Sequence, residues 1–293
     1  PNIQSWIFPK KLHSSPHKWY IFPNFITFDP MEQMTKNIYF ASDFHFGYPD
    51  EEQSKEREKL VIKWLDEIKP SCKELYLLGD IFDFWFEYKY VAPQGNIRFL
   101  AKLTEFVESG IPVNIFCGNH DMWYGKYLEK EIGVSIFDEP IEREYFGKKL
   151  YIHHGHALGK YDKGMSFLNG IFTSKILRFL FAFIPVNWAY GFGRAWSRHN
   201  RKKHKNPCES ECPDHYYLGD DKEYLILHIK DVLKNNFYDY FVFGHRHVAA
   251  NKEVAPNSYY VNLGNWIWGS TYAILSENGM EVLSYKGNDK IVR

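Results

Sequence analysis

A short apolar run that ends in a cluster of polar residues recurs five times along the chain and constrains the fold more than any other feature. The runs cover residues 37–41, 74–78, 112–117, 150–153 and 240–243. They are rich in aromatic and branched side chains, which is typical of buried β-strands. Helical patterns lie between them, as over residues 52–68 and 97–108. Alternating strands and helices predict an α/β fold, in which ligands bind beyond the carboxyl ends of the strands.

The two ends of the chain add to this scheme. Strand candidates at 259–263, 272–275 and 281–285 follow one another without a helix, which favours an antiparallel part of the sheet and a second layer. The first thirty residues contain five prolines, which is typical of an irregular extension. We therefore predict an N-terminal extension over residues 1–35 and one domain over residues 36–293.

Composition excludes several classes of protein. The 293 residues include 36 basic and 36 acidic side chains, whereas a general nucleic-acid binder needs a surplus of Lys and Arg. Apolar residues make up 45% and charged residues 25%, which are globular values that exclude a disordered or coiled-coil chain. The four cysteines form no CxxC pair and favour reduced thiols in the cytosol. Neither a signal peptide nor a transmembrane helix is predicted.

The polar clusters at the strand ends concentrate metal-binding side chains. Of the 13 histidines, seven lie in these clusters: His45, His120, His153, His154, His156, His245 and His247. Beside them stand Asp43, Asp80, Asp83, Asn119 and Asp121. Carboxylate, amide and imidazole donors without a thiolate suit Mn, Fe or Zn. The donors are too many for one ion, so we predict two ions that share a carboxylate.

The clusters also form a known series of motifs. Asp-x-His, Gly-Asp-x-x-Asp, Gly-Asn-His-Asp, His-Gly-His and Gly-His-x-His, in this order, resemble the calcineurin-like metallophosphoesterase superfamily. The resemblance implies a four-layer αββα sandwich, an α/β (α+β) fold of two mixed sheets with helices outside. It implies that the first metal ion is bound by Asp43, His45, Asp80 and His247. The second would be bound by Asp80, Asn119, His154 and His245, so that Asp80 bridges the two.

The other polar residues of the clusters have different predicted roles. His120 follows a metal-binding asparagine, so we expect it to stabilise the transition state or to protonate the leaving oxygen. Asp83 and Asp121 are predicted to orient the ligands rather than to bind metal. His153 alternates with its neighbour in the strand and is predicted to point into the core. For His156, a contact with the substrate and a structural role both stay open.

One segment departs from the alternating pattern. Residues 163–208 contain no acidic side chain but nine basic ones: Lys163, Lys175, Arg178, Arg194, Arg198, Arg201, Lys202, Lys203 and Lys205. Nine aromatic rings accompany them. We interpret residues 163–235 as a helical insert, or cap, whose rings enter the acyl region of a membrane while its Lys and Arg face anionic head groups. The alternative is an ordinary helical cap whose apolar face packs on the core.

The insert and the motifs together resemble the UDP-2,3-diacylglucosamine diphosphatases of lipid A synthesis, over residues 36–286. Residues 79–85 are similar to the second motif of that family. The resemblance implies that Asp162, Ser197 and Arg201 bind the substrate. Two positions differ, because His120 stands where the best-known members have arginine and His156 where they have aspartate.

The predicted activity is cleavage of the pyrophosphate of UDP-2,3-diacylglucosamine by an enzyme with two divalent ions, Mn in the first place, with Fe or Zn as alternatives. A phosphatase or phosphodiesterase acting on a soluble nucleotide or a phosphoprotein is the second hypothesis. A metal-free binding module is least favoured, because all seven ligand positions are kept. The predicted location is the cytoplasmic face of the inner membrane, on whose anionic surface the protein would bind peripherally.

Overall fold

A computed structural model describes residues 36–158, 170, 172–203, 217 and 219–285. The predicted extension over residues 1–35, Asp162 and part of the predicted insert lie outside the described residues. The helices are α1 (Glu51–Ile68), α2 (Ile97–Glu108), α3 (Lys175–Phe181), α4 (Val186–Lys203) and α5 (Tyr224–Val232). A 3-10 turn (Lys69–Ser71) and a π-helical turn (Leu128–Ile132) are shorter.

The strands form two mixed sheets. The first contains β1 (Asn37–Ala41), β2 (Cys72–Leu77), β3 (Val113–Phe116), β4 (Ser135–Phe137), β10 (Thr271–Ser276) and β11 (Gly279–Ser284), in the order β11-β10-β1-β2-β3-β4. The second contains β5 (Ile141–Tyr145), β6 (Lys148–Ile152), β7 (Tyr240–Phe243), β8 (Ala250–Ala255) and β9 (Ser258–Asn262), in the order β5-β6-β7-β9-β8.

The strands that precede the polar clusters lie side by side and parallel. In the first sheet Phe40 of β1 pairs with Tyr76 of β2, which pairs with Asn114 of β3. In the second sheet Ile152 of β6 pairs with Val242 of β7. Parallel neighbours end at the same edge of a sheet, so the clusters that follow them meet there. The C-terminal strands β10 and β11 add the predicted antiparallel part.

Three apolar clusters hold the layers together. Between the sheets, side chains such as Phe40 pack with others such as Val242. Helices α1 and α2 cover the outer face of the first sheet, through residues such as Trp64. Helix α5, which lies within the range predicted as the insert, covers the outer face of the second sheet through residues such as Leu225. The structure therefore confirms the predicted four-layer sandwich.

Helix α1 begins at a residue that suits a helix start. The Asp50 carboxylate accepts a hydrogen bond of 2.9 Å from the Gln53 backbone N–H, which would otherwise lack a partner. Glu51 and Glu52 lie in the first turn, where their charges face the positive end of the helix dipole. The N-terminal cap of α1 thus fixes the position of the loop that leads from the end of β1 to the start of α1.

Helices α3 and α4 lie in the predicted insert. Within the described ranges no single helix is long and apolar enough to cross a membrane; α3 and residues 186–193 pass that test only as a pair, and the pair is bent by 120°. The exposed aromatic side chains of this pair and of the turn between its two parts are Phe179, Phe183, Trp188 and Phe192, which we call the aromatic surface. Gly193 of α4 lies against the protein, because a Cβ at this position would lie 2.5 Å from the Phe84 ring. Helix α4 therefore packs tightly on the loop after β2.

Candidate metal centre

Seven polar side chains lie together where the parallel strands end. One group, whose ligand atoms lie within 4.8 Å of one another, consists of Asp43, His45, Asp80 and His247. A second such group consists of Asp80, His154 and His245. Asn119 adjoins the second group, because its Oδ1 lies 3.3 Å from Nε2 of His154. The structure thus brings all seven predicted ligands together, and Asp80 is common to both groups.

Asp80 has the geometry of a shared ligand. Its Oδ2 lies 3.6 Å from Nε2 of His45, in the first group, and 3.6 Å from Nε2 of His154, in the second. Its Oδ1 accepts a hydrogen bond of 2.9 Å from the backbone N–H of His120. A carboxylate placed between two sets of donors in this way can bridge two cations.

The backbone at the ligands is strained. Left-handed φ angles between 47° and 65° occur at Asp43, His45, Asp80, His245 and His247. Such a conformation costs a non-glycine residue roughly 1–3 kcal/mol, and it persists only where the surroundings hold it. Here the N–H of Asp43 donates to the Gly79 carbonyl at 3.1 Å, and the N–H of His45 donates to the Asp80 carbonyl at 2.9 Å. Strain of this kind concentrates at functional sites.

Gly79 shows how closely the ligand loops approach one another. Its φ is +78°, and a Cβ at this position would lie 2.7 Å from Nδ1 of His154 and 2.8 Å from Cα of Gly118. Any side chain would therefore push apart the loops that follow β2, β3 and β6. The close approach of these loops thus explains why the Gly-Asp-x-x-Asp motif begins with a glycine.

The donors fit divalent cations. The side chains of Asp43, His45 and His154 are fully buried, and that of Asp80 is 2% exposed. Burial raises the pKa of Asp80, but His154 and His120 outweigh it and hold the pKa well below its usual range. Burial opposes a charge on His154 too, yet the Asp80 carboxylate raises the pKa of that imidazole to about 9. The buried carboxylates therefore attract positive charge. Divalent cations that prefer oxygen and imidazole donors would supply that charge.

His120 lies at the edge of this centre. Its side chain is 19% exposed, and its ring packs edge to face against His45 with the ring centres 4.9 Å apart. Its Nδ1 lies 3.2 Å from the backbone carbonyl oxygen of Asp83. Because a carbonyl oxygen can only accept, this contact assigns the donor role to Nδ1 and leaves Nε2 as the nitrogen that can exchange a proton with a ligand.

Asp83 connects the metal centre to the insert. Its Oδ1 lies 3.7 Å from Nδ1 of His45, and its Oδ2 accepts a hydrogen bond of 2.7 Å from Ser197 of α4. Ser197, predicted to bind the substrate, is buried at this contact, with 3% of its surface exposed. Arg201 follows in the same helix, and Asp162 lies outside the described residues. Substrate binding by these three residues stays a prediction.

Asp121 fastens the loop after β3 to the loop after β2. It is fully buried. Its oxygens accept hydrogen bonds from the backbone N–H groups of Asp80 (3.1 Å), Ile81 (2.7 Å), Phe82 (3.1 Å) and Gly118 (2.8 Å). They also accept one of 2.6 Å from the Tyr124 hydroxyl. Asp121 therefore orients the ligand loops.

Replacing Asp121 with alanine should lower the free energy of unfolding by at least about 3 kcal/mol, because each buried donor that loses its acceptor costs roughly 1–3 kcal/mol. Urea unfolding followed by circular dichroism, in metal-free buffer, measures this change. The control is Glu131→Ala at an exposed position, which should change the same quantity by less than about 0.5 kcal/mol. Equal unfolding free energies for Asp121→Ala and the wild type would show that other contacts hold the two loops.

The other two histidines of the fourth cluster also lie near the centre. His153 is 4% exposed, its ring faces Phe116, and burial lowers its pKa well below the usual range. It therefore lies in the core, as predicted. His156 lies with its ring centre 5.3 Å from that of His154 and 6.3 Å from that of His245. It thus packs against two ligand imidazoles.

The sequence patterns do not indicate Glu223 and Tyr224, at the start of α5. The Tyr224 hydroxyl donates a hydrogen bond of 3.2 Å to the carbonyl of Gly155, next to His154. Glu223 pairs with Arg246, the residue between the ligands of the last motif. No motif includes either residue, and only a contact between distant parts of the chain reveals them.

Comparison with known proteins places this arrangement in a family. The sequence profile of the calcineurin-like phosphoesterases matches residues 36–249. A Porphyromonas gingivalis protein described as UDP-2,3-diacylglucosamine hydrolase is 31% identical over 247 residues, which cover 82% of this chain and 94% of the relative. An Aeromonas hydrophila protein of the same description is 27% identical over 148 residues, or 50% of this chain and 59% of the relative. Among solved structures, the E. coli phosphoesterase Yfce matches with a TM-score of 0.44 and 13% identity, over 87% of this chain and 96% of that one.

The family profile extends from β1 to the last ligand motif and so includes all seven candidate ligands. The family implies a site for two metal ions, in agreement with the two groups of donors that share Asp80. The chain therefore belongs to the calcineurin-like phosphoesterase family and is a hydrolase of phosphate ester or anhydride bonds.

Proposed function

We propose that the protein hydrolyses the pyrophosphate of UDP-2,3-diacylglucosamine and releases UMP and 2,3-diacylglucosamine 1-phosphate. The observation that most supports this substrate is a helix that reaches from the metal centre to the aromatic surface. In α4, Ser197 donates to Asp83 at the centre, and Phe192 of the aromatic surface lies roughly 8 Å away along the helix axis. A phosphoester that carries acyl chains would place its phosphoryl group at the metal centre and its acyl chains on the aromatic surface. The relatives named UDP-2,3-diacylglucosamine hydrolase agree with this substrate.

The aromatic surface needs an apolar partner. Phe179, Phe183, Trp188 and Phe192 are 64%, 71%, 75% and 59% exposed. The rings of Phe179 and Phe183 pack edge to face with their centres 4.9 Å apart. Soluble proteins rarely expose so many large apolar side chains on two successive helices and the turn between them unless they bind something there. Acyl chains on these rings would leave water, which stabilises binding by roughly 0.8 kcal/mol for each buried methylene.

The opposite side of the same helices is attached to the loops that carry ligands. The Phe181 ring lies 4.8 Å from the Phe86 ring, after β2, and 4.9 Å from the Trp123 ring, after β3. Arg178 donates a hydrogen bond of 3.2 Å to the carbonyl of Tyr124. A lipid bound on the aromatic surface would therefore lie on an element that packs against the loops that carry the candidate ligands.

In this proposal the two groups of donors, which share Asp80, would hold two Mn ions. When bound, the ions would supply Lewis acidity that activates water and neutralises charge on the phosphoryl oxygens. His120 gives the proton on its Nε2 to the leaving oxygen, while its Nδ1 stays bonded to the Asp83 carbonyl. The proposed contacts to the sugar and its phosphate are Asp162, Ser197 and Arg201.

The location belongs to the same proposal. The acid-free stretch 163–208, within the insert over residues 163–235, would attract anionic lipids, at about 1 kcal/mol for each basic side chain near the membrane surface. The protein would then bind peripherally to the cytoplasmic face of the inner membrane. Its aromatic surface would meet the acyl chains of the substrate there.

A panel of four substrates with Mn²⁺ tests the proposed function. UDP-2,3-diacylglucosamine should give the highest kcat/KM, measured as UMP release. UDP-N-acetylglucosamine has the same nucleotide and sugar without the two long acyl chains, and it should be cleaved far more slowly. Bis-p-nitrophenyl phosphate reports the metal centre alone. Fastest turnover of a phosphopeptide or of the soluble nucleotide sugar would refute the lipid substrate.

Replacing Phe179 and Phe183 together with serine should raise KM for UDP-2,3-diacylglucosamine at least roughly tenfold, because the loss of contact with about two methylenes already corresponds to that factor. The value of kcat/KM for bis-p-nitrophenyl phosphate should change less than about twofold, since this small substrate needs only the metal centre. Steady-state kinetics with both substrates measures the difference.

The matched control is Phe237→Ser, at a ring that is 51% exposed but lies beyond the end of α5. It should leave KM for UDP-2,3-diacylglucosamine and kcat/KM for bis-p-nitrophenyl phosphate unchanged. Binding of the wild type to vesicles with anionic lipid should also weaken as salt rises, because the attraction is screened over about 10 Å at 0.1 M. An equal loss with both substrates in the double variant would assign these phenylalanines a purely structural role.

A further inference from the structure

Arg246 occupies the variable position of the Gly-His-x-His motif, between His245 and His247. An arginine beside metal ligands would be expected to meet a substrate phosphate, which its forked guanidinium binds well. In the structure, however, the Arg246 guanidinium pairs with the carboxylate of Glu223. Its Nε lies 2.8 Å from Oε1 of Glu223 and its Nη2 lies 3.3 Å from Oε2, so the pair is bidentate. Arg246 is 5% exposed and Glu223 is 2% exposed.

The pair attaches a ligand loop to a rigid element. Glu223 is the residue before α5, and α5 buries its apolar face against the second sheet. Burial disfavours a charged guanidinium, but the Glu223 carboxylate outweighs it and raises the pKa of Arg246. The guanidinium is therefore stabilised beside the carboxylate, and the two side chains hold each other in the interior.

The start of α5 also contacts the other ligand loop of the second sheet. The Tyr224 hydroxyl donates to the carbonyl of Gly155, beside His154, and the Tyr224 ring lies 5.8 Å from the Arg246 guanidinium. His154 and His245 belong to the same group of donors. Residues 223 and 224 thus join the two loops that supply this group.

The backbone on either side of Arg246 requires such support. His245 and His247 have φ angles of 65° and 53°, in the left-handed region. The Arg246 N–H closes a tight turn on the Gly244 carbonyl at 2.7 Å. A side chain that is anchored between two strained residues restricts both of them, so its anchor restricts the ligand nitrogens as well.

We propose that Glu223 and Arg246 form a positioning pair that holds His245 and His247 in the geometry needed to bind metal. In this proposal the pair acts through the two histidines rather than as a ligand itself. Loss of the pair weakens metal binding even where the fold is kept. The proposal rests on the assignment of the metal ligands and not on the lipid substrate.

The test is Mn²⁺ binding to the full chain with Glu223→Gln, measured by equilibrium dialysis without substrate. We expect a loss of roughly 10–100-fold in affinity, the range for groups that orient metal ligands. Hydrolysis of bis-p-nitrophenyl phosphate should fall at low Mn²⁺ and recover when Mn²⁺ is raised. A merely structural pair would not give this recovery.

The matched control is Asp239→Asn. Asp239 accepts hydrogen bonds from Lys148 Nζ (3.0 Å) and from the Lys149 N–H (2.9 Å), at the amino ends of β6 and β7 and so away from the ligands. The Mn²⁺ affinity of the Asp239→Asn variant should equal that of the wild type. If Glu223→Gln is not folded by circular dichroism, Arg246→Lys, which keeps the charge but loses the fork, takes its place with a smaller loss expected. Wild-type affinity in the Glu223 or Arg246 variant, or an equal loss in the control, overturns the proposal.

Discussion

Replacing Asp80 with alanine should abolish hydrolysis of every phosphoester tested and remove both metal ions from the protein. One carboxylate contacts both groups of donors, since its Oδ2 lies 3.6 Å from His45 and 3.6 Å from His154. Without it each group keeps only its remaining ligands, and His154 loses the carboxylate that lies 3.6 Å from its Nε2. Metal analysis of the dialysed variant, with turnover of bis-p-nitrophenyl phosphate, measures both losses.

Two further variants separate metal binding from packing. Asp80→Asn keeps the volume of the side chain but not its charge, so it should lose metal as Asp80→Ala does. Asp83→Asn, beside His45, should retain both ions with affinity lowered by roughly 10–100-fold, because Asp83 orients a ligand without bridging. Two ions still bound to Asp80→Ala at wild-type affinity would refute the shared-ligand assignment.

Replacing His120 with alanine should lower kcat by roughly 10²–10⁴, the usual range for a positioned acid or base, while both metal ions stay bound. His120 contributes its backbone N–H to Asp80, and the substitution leaves that hydrogen bond in place. Only the imidazole is lost, whose Nδ1 is held by the Asp83 carbonyl. Single-turnover kinetics with metal analysis measures the effect on the chemical step alone.

His120→Arg distinguishes proton transfer from charge stabilisation. An arginine supplies a permanent positive charge, but its pKa above about 12 prevents it from giving up a proton. If His120 acts as an acid, the arginine variant should be as slow as the alanine variant. Recovery of turnover by arginine would assign an electrostatic role instead, and unchanged turnover in the alanine variant would make His120 structural.

The sequence predicts best the elements that are buried along most of their length. Strands β1 (Asn37–Ala41) and β7 (Tyr240–Phe243) and helix α2 (Ile97–Glu108) begin and end where the patterns place them. Each of these strands is covered on both faces, so its apolar residues form a continuous run. Such a run is a local property and can be recognised without knowledge of its partner.

The sequence patterns do not predict β4, β5 and β8, and all three lie at the edges of their sheets. An edge strand is only partly covered, and its side chains alternate with charged ones, as in the segment Ile-Glu-Arg-Glu-Tyr of β5. Its conformation depends on pairing with the neighbouring strand. Only the assembled sheet supplies that neighbour.

The identity of the candidate ligands was determined by the sequence alone, because they stand at the ends of recognisable strands and in motifs that resemble a known family. The contacts that orient them were decided by the tertiary structure. Ser197 faces Asp83 across 114 positions of the chain, and Arg246 turns to Glu223 across 23. A local pattern records which residues are buried, but not which distant residue they meet. That choice depends on how the helices pack on the sheets, which no short segment of the sequence encodes.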